Sequence, residues 1–386
     1  MQTICKYTQE YYTTNNIYLC KNAMQYILAW VISLVIIVAG LYISKRLWIL
    51  DKPGPDIKPT RKGVPTMQGA VAYIAILTAL TILIPQRRTN NIVLWFVAWI
   101  TILIVVAAWD ECAYLYKIKD VPMLLRLITQ IIAAWVAIYI SGGIMDERVF
   151  RGEILQIPTG LFMAGFIIRT MLCINAINRF DGVYGLASWV SSIWFLTIVL
   201  LIQLVVFPYY TDMGDQTLQT LQIINDIAIV LAIISAVYAG IEYKPHGLVR
   251  DLGTMMFGFW LAYLSVVGGA KIGTLVVALS LVIFDAIWVG LHRIFFLKKN
   301  PLSGDYTHLH YRLLRLGRSR WEIRSFVRIR SGIMMILMLL QWANRIDKII
   351  IFVLMAAVFF GVNAYIFRIK KLPCGLEIKK KETNTK

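Results

Sequence analysis

The sequence predicts an all-α, polytopic membrane protein with about eleven transmembrane helices and a reactive face on the cytoplasmic side. Three observations carry this. Apolar residues make up 59% of the chain, charged residues only 16%, and the mean hydropathy is +0.68, all far from ordinary globular usage. Apolar stretches near the roughly 20 residues needed to cross about 30 Å of hydrocarbon recur from Met24 almost to the C-terminus. Lysine and arginine, which give the chain its net charge of +18, gather in alternate loops between those stretches. That distribution points to a membrane orientation and away from nucleic acid.

In order, residues 1–23 form a polar, external N-terminal segment with no small-residue cleavage site after the apolar run that follows, so the first helix is expected to stay. A single transmembrane catalytic domain then covers 24–368. Its apolar cores are 24–44, 66–84, 92–109, 124–141, 159–175, 185–207, 226–241, 253–268, 272–291, 331–342 and 347–367, of which 331–342 is the shortest. Basic residues place loops 45–65, 110–123, 176–184, 242–252 and 292–330 inside, with the basic tail 369–386. The first carries Lys45, Arg46, Lys52, Lys58, Arg61 and Lys62, and the last is rich in arginine from Arg293 to Arg330. The N-terminus and the loop around Asp212 and Asp215 are then external, and Arg87 and Arg88 are a local exception.

With this topology the polar residues fall on one face. Asp51, Asp110, Glu111, Asn175, Asn178, Asp181, Asp251, Asp305 and all four histidines lie in cytoplasmic loops or at cytoplasmic helix ends. A transporter places polar groups near the midplane on broken helices of repeated halves, and no such repeat is visible. The segregation favours an enzyme that meets a soluble substrate and a membrane-borne one. Carboxylates without CxxC spacing favour a hard cation, Mg²⁺ or Mn²⁺, which commonly works on phosphate. The stretch Pro301-Leu-Ser-Gly-Asp-Tyr-Thr-His-Leu-His310 is rich in donors for a diphosphate. No P-loop, GxGxxG or GxSxG pattern occurs. The five cysteines suggest neither zinc nor a disulfide framework.

Bland readings stand beside these. An acid at a helix end is often only a solvated terminus. Asp285 differs because it lies inside the ninth apolar stretch, where an ionisable group is a functional candidate by default. The arginines from Arg312 to Arg330 read as an amphipathic interfacial helix on anionic lipid.

Four ordered segments together resemble the polyprenyl-phosphate N-acetylhexosamine-1-phosphate transferase family. Asp51-Lys-Pro with Arg61-Lys-Gly-Val-Pro-Thr-Met-Gln-Gly69 looks like its DxP and PTxGG segments. Asp110-Glu111, with Lys117 and Gln130 downstream, is similar to its paired aspartates. Asn175-Ala-Ile-Asn-Arg-Phe-Asp-Gly-Val-Tyr-Gly-Leu-Ala187 is close to NxxNxxDGLDGLA. Arg250-Asp-Leu-Gly-Thr254 resembles GDxGS and continues through Asp285 and Arg293 to the Pro301–Leu314 stretch.

The resemblance implies a Mg²⁺-dependent reaction in which a polyprenyl phosphate attacks a UDP-N-acetylhexosamine, releasing UMP at the cell membrane; a homodimer is compatible with it. It implies catalytic roles for Asp110, Glu111, Asp181 and Asp251, with Asp251, Asp110 and Asp181 on the metal. Substrate binding falls to Lys62, Asn175, Asn178, Asp305, His308, His310 and Arg312. The Pro301–Leu314 stretch looks like the UDP-N-acetylglucosamine branch, whereas Pro65-Thr-Met-Gln-Gly69 leans toward the phospho-N-acetylmuramoyl-pentapeptide branch. Glu111, Tyr184, Arg250 and Tyr311 depart from the family pattern, which raises a degenerate homologue as the alternative.

Overall fold

A computed structural model describes residues 2–51, 63–83, 92–116, 121–140, 147–150, 153–156, 159–207, 215–244, 246–267, 280–298, 308–340 and 345–370. Each predicted apolar stretch coincides with helix over its described residues, apart from Thr66, Met67 and Gly185 at the starts of two stretches. The helices are α1 (Gln2–Arg46), α2 (Gln68–Leu83), α3 (Ile92–Tyr116), α4 (Met123–Ile140), α5 (Thr159–Arg179) and α6 (Leu186–Leu201). They continue with α7 (Asp215–Tyr243), α8 (Arg250–Val267), α9 (Ser280–His292), α10 (Leu309–Arg315), α11 (Arg320–Leu340) and α12 (Arg345–Lys370). Among the described residues, Ala23–Arg46, Leu186–Val206 and Leu221–Tyr243 are long and apolar enough to cross a membrane. Large aliphatic side chains stand outward on several helices, Val35 at 61%, Ile168 at 59% and Val358 at 61% exposure, a pattern suited to lipid and costly in water.

Several boundaries differ from the sequence reading. The polar N-terminal segment is helical from Gln2, continuous with the first apolar run. Asp215, expected in a loop, opens α7. The short stretch 331–342 belongs to a longer helix that starts at Arg320. The all-α expectation is modified by two antiparallel hairpins, β1 (Leu50–Asp51) with β2 (Val64–Pro65) and β3 (Glu147–Phe150) with β4 (Glu153–Gln156). Lys62, Asp212 and Asp305 lie outside the described residues.

Helix α8 is the central element, flanked by α2, α3, α5 and α6, and its residues Leu252, Met256, Phe257, Trp260 and Leu264 are almost wholly buried. An apolar helix buried all round has no solvent face to orient it, so the polar groups at its first turn do that work. Gly69 at the start of α2 meets that turn backbone to backbone. A Cβ there would stand 2.4 Å from the Gly253 nitrogen and 2.8 Å from the Val249 oxygen, so only glycine permits the approach.

Candidate active site

The first motif is drawn onto α8 by main-chain bonds. The Gln68 amide donates to the Leu248 carbonyl (3.2 Å), and the Leu248 amide donates to the Pro65 carbonyl (2.9 Å). Glu111, on the polar end of α3 beyond its apolar run, then accepts from the Thr66 hydroxyl and the Met67 amide through one oxygen, both at 2.6 Å. Its second oxygen, Oε2, is buried without a hydrogen-bond partner. Burial pushes this carboxyl up to about 7, against the Thr66 and Met67 bonds and the attraction of Arg250, while the nearby Asp251 adds to the rise. Glu111, Arg250 and Asp251 therefore share one electrostatic neighbourhood.

The third motif joins from α5. The Thr254 hydroxyl on α8 donates to Asn178 Oδ1 (2.8 Å), and Asp181 follows half-buried in the 3₁₀ turn Phe180–Gly182. Asn175 and Asn178 were placed at a loop edge by the sequence, but α5 runs on to Arg179, so both stand on its last turns. Asn175 donates to Gln130 Oε1 on α4 (3.0 Å) and to its own helix at Met171 (2.7 Å), which makes it a helix-to-helix tie. Asp110 takes a salt bridge from Arg126 and the Val121 amide (3.3 Å).

The histidine motif is positioned by Asp285. This acid, a functional candidate in the sequence because of its place in the ninth apolar stretch, serves as the anchor of α10. Its Oδ1 accepts from the Leu309 amide (2.9 Å) and Arg312 Nη2 (2.8 Å), and its Oδ2 lies 2.8 Å from His308 Nδ1. Because a carboxylate only accepts, that ring nitrogen carries the proton. Arg312 also donates to Asn363 on α12. His310 turns the other way, toward the third motif. A Cβ on Gly182 would lie 2.2 Å from His310 Nε2 and 2.6 Å from the Tyr311 hydroxyl, so the Asp181–Gly182 turn and α10 touch only because residue 182 is glycine. Burial, with His308 and Arg312 acting in the same sense and Asp285 opposing, holds the His310 imidazole down at about 3, so it is neutral at physiological pH.

One position that departs from the family pattern, Arg250, and the neighbouring Met67 both have unusual backbones. Arg250 has a left-handed backbone (φ +47°), the conformation a glycine adopts without strain, and the family motif has glycine there. Met67, whose amide meets Glu111, is also left-handed at φ +58°. Strain on both sides of a buried carboxylate is characteristic of functional sites.

Glu242 escaped the sequence reading. Buried at the end of α7, it accepts from the Val249 amide (2.9 Å) and the Ser188 hydroxyl (2.7 Å), holding the strand of chain that leads into Asp251. Its signal was an acid closing an apolar run just before Pro245-His-Gly247.

Among the described residues, no three His, Cys, Asp or Glu side chains come together as a ready metal cage. Mg²⁺ does not require one, since it is usually held by one or two carboxylates together with substrate phosphates and water. The unpartnered Oε2 of Glu111 beside Asp251 fits that donor set. Asp110, engaged by Arg126, fits it less well.

No protein-family model matches the chain. The chain is 24% identical to the probable undecaprenyl-phosphate N-acetylglucosaminyl 1-phosphate transferase of Bacillus subtilis over 313 residues, 78% of this chain and 80% of that protein. It is 24% identical to the phospho-N-acetylmuramoyl-pentapeptide-transferase of Lactobacillus johnsonii over 310 residues, 76% of this chain and 89% of that protein. With the Enterococcus hirae protein of the same description it shares 27% identity over 161 residues, 40% of this chain and 50% of that one. Similarity over most of the length, joined to four motifs that meet around α8, makes this chain similar, at the level of distant relatives, to polyprenyl-phosphate sugar-1-phosphate transferases.

Proposed function

We propose that the protein transfers a sugar 1-phosphate from a UDP-N-acetylhexosamine, UDP-N-acetylglucosamine first among them, to a polyprenyl phosphate at the cytoplasmic face of the cell membrane, releasing UMP. One observation carries the reading: Glu111 bonds to Thr66 and Met67 beside Arg250 and Asp251, while Thr254 ties Asn178 to the same turn. Segments far apart in sequence thus supply acids, an amide and a guanidinium to one place.

A divalent cation held by Glu111 and Asp251 would offset charge on the diphosphate as the bond to UMP breaks. Around it the chain's own groups do the rest. Arg250 adds positive charge, and Asn178 and Asp181 orient the nucleotide-sugar. His308, fixed by Asp285, and neutral His310 present α10 to the diphosphate or the sugar, with Arg312 setting their register.

The test is UMP release by purified protein supplied with UDP-sugars, undecaprenyl phosphate and Mg²⁺. Turnover should need all three, and Asp251→Asn should lower kcat by about two to three orders of magnitude, the usual loss when such an electrostatic group is removed. No turnover from folded protein with any UDP-sugar would overturn the reading in favour of a degenerate homologue.

A further inference from the structure

Arg320, Arg324 and Arg328 repeat every four residues, so they form one stripe along α11. The sequence assigned these arginines to an interfacial face, yet the stripe turns inward. Arg320 stacks over the Tyr184 ring at 4.9 Å, Arg324 over Tyr243 at 4.3 Å, and Arg328 over Trp189 at 4.8 Å and Tyr243 at 5.6 Å. Those rings come from the turn before α6, from α6 itself and from the last residue of α7. Arg324 also donates to the Tyr243 and Arg320 carbonyls at 3.1 and 3.2 Å.

Stacking occupies the guanidinium faces and leaves their edges for hydrogen bonds. On Arg328 the Nε and Nη2 atoms, the side-on pair that grips two oxygens of one phosphate, have no partner and are shielded from water. Among the described residues no carboxylate forms a salt bridge with Arg324 or Arg328. Burial and then the neighbouring Arg324 push the Arg328 guanidinium below its ordinary value. Elsewhere α11 exposes Trp321, Phe326, Ile329 and Ile333, apolar groups suited to acyl chains. The positive charge of Arg324 and Arg328, unpaired with any described carboxylate and set beside an apolar helix face, is complementary to a lipid whose headgroup is an anion.

We propose that the seam between α11 and the Tyr184, Trp189 and Tyr243 rings is an accessory site for the phosphate headgroup of an anionic membrane phospholipid, separate from the acid-lined site at Glu111 and Asp251. Tyr184 takes part in this assignment. Where the family motif carries an acid, this chain places a neutral ring that stacks on the Arg320 guanidinium.

The full chain in phosphatidylcholine mixed micelles, titrated with phosphatidylglycerol and read by native mass spectrometry, tests this. Phosphatidylglycerol affinity should fall roughly tenfold or more in Arg324→Gln/Arg328→Gln and in Tyr184→Asp, which keeps both guanidinium groups but adds a counter-ion. Arg318→Gln, which removes an exposed arginine paired with Glu322, should bind as the parent does. If the double variant fails to fold, Tyr184→Asp alone decides. Unchanged affinity in the folded variants overturns the proposal. So does one-for-one displacement of phosphatidylglycerol by undecaprenyl phosphate, which would make the seam part of the acceptor site. Competition by inorganic phosphate at the same concentration would show that no lipid is being recognised. These outcomes are independent of UMP release, so failure here leaves the transferase reading standing.

Discussion

Asp285→Asn removes one charge from the contact that holds α10, and its cost can be worked from three bonds. The carboxylate serves the Leu309 amide, Arg312 and His308 at 2.9, 2.8 and 2.8 Å. Asparagine keeps an oxygen for the first two but leaves Arg312, only 6% exposed in its side chain, without a counter-ion. Breaking a buried pair from one side costs about 3–5 kcal/mol, and the neutral acceptors at positions 285 and 363 put this case near about 3 kcal/mol. At about 1.4 kcal/mol per factor of ten, the opening equilibrium of α10 should rise by about two orders of magnitude. Helix α10 has seven residues, too few to persist alone, so it should open as a unit. Hydrogen exchange read by mass spectrometry should show roughly hundredfold faster exchange over Leu309–Arg315 and no change at Leu231 in α7 or Trp260 in α8. Asp285→Asn/Arg312→Gln, which removes both charges, should be less affected than Asp285→Asn alone. Unchanged protection of α10 in the single variant would refute the anchoring argument.

Two other outcomes follow from packing and burial. Gly69→Ala sets a methyl against the Gly253 and Val249 backbone, which cannot swing aside like a side chain, so thermal unfolding in detergent should show a loss of about 1–3 kcal/mol; a parent-like melting temperature would mean that α2 and α8 separate freely. His310 is held at about 3 in the fold against an ordinary value of 6.5, so between those pH values the unfolded chain binds more protons. Its contribution to stability therefore grows as pH rises from about 3 to about 6.5 and is level above that. Melting temperatures between pH 4 and 8 should show a shallower acid limb in His310→Gln, and parallel limbs would contradict the burial assigned to this ring.

Much of the architecture was legible because helices are local. Apolar runs near the length of a bilayer core dictate helix wherever they occur. Asn175, Asn178, Asp181, Asp251, His308 and His310 were all identified from ordered motifs. What each one touches was not legible, since a motif fixes residue types and spacing along the chain and leaves partners across it open. Asn175 illustrates the gap: the motif marks it as a substrate ligand, and the structure has it donating to Gln130. Asp285 illustrates it again, because an acid inside an apolar stretch signals that a partner exists without saying which.

The sequence by itself determined a helical membrane protein, the order of its apolar stretches and the kinship of its four motifs, all properties of short-range pattern. Only the tertiary structure decided that Glu111 sits under Thr66 beside Asp251, that Glu242 steadies the approach to that turn, and that the arginines of α11 face aromatic rings. Those outcomes depend on which side of each helix meets another. In a chain apolar on every side, hydrophobic periodicity does not specify that choice, and a few buried polar contacts and glycine approaches make it.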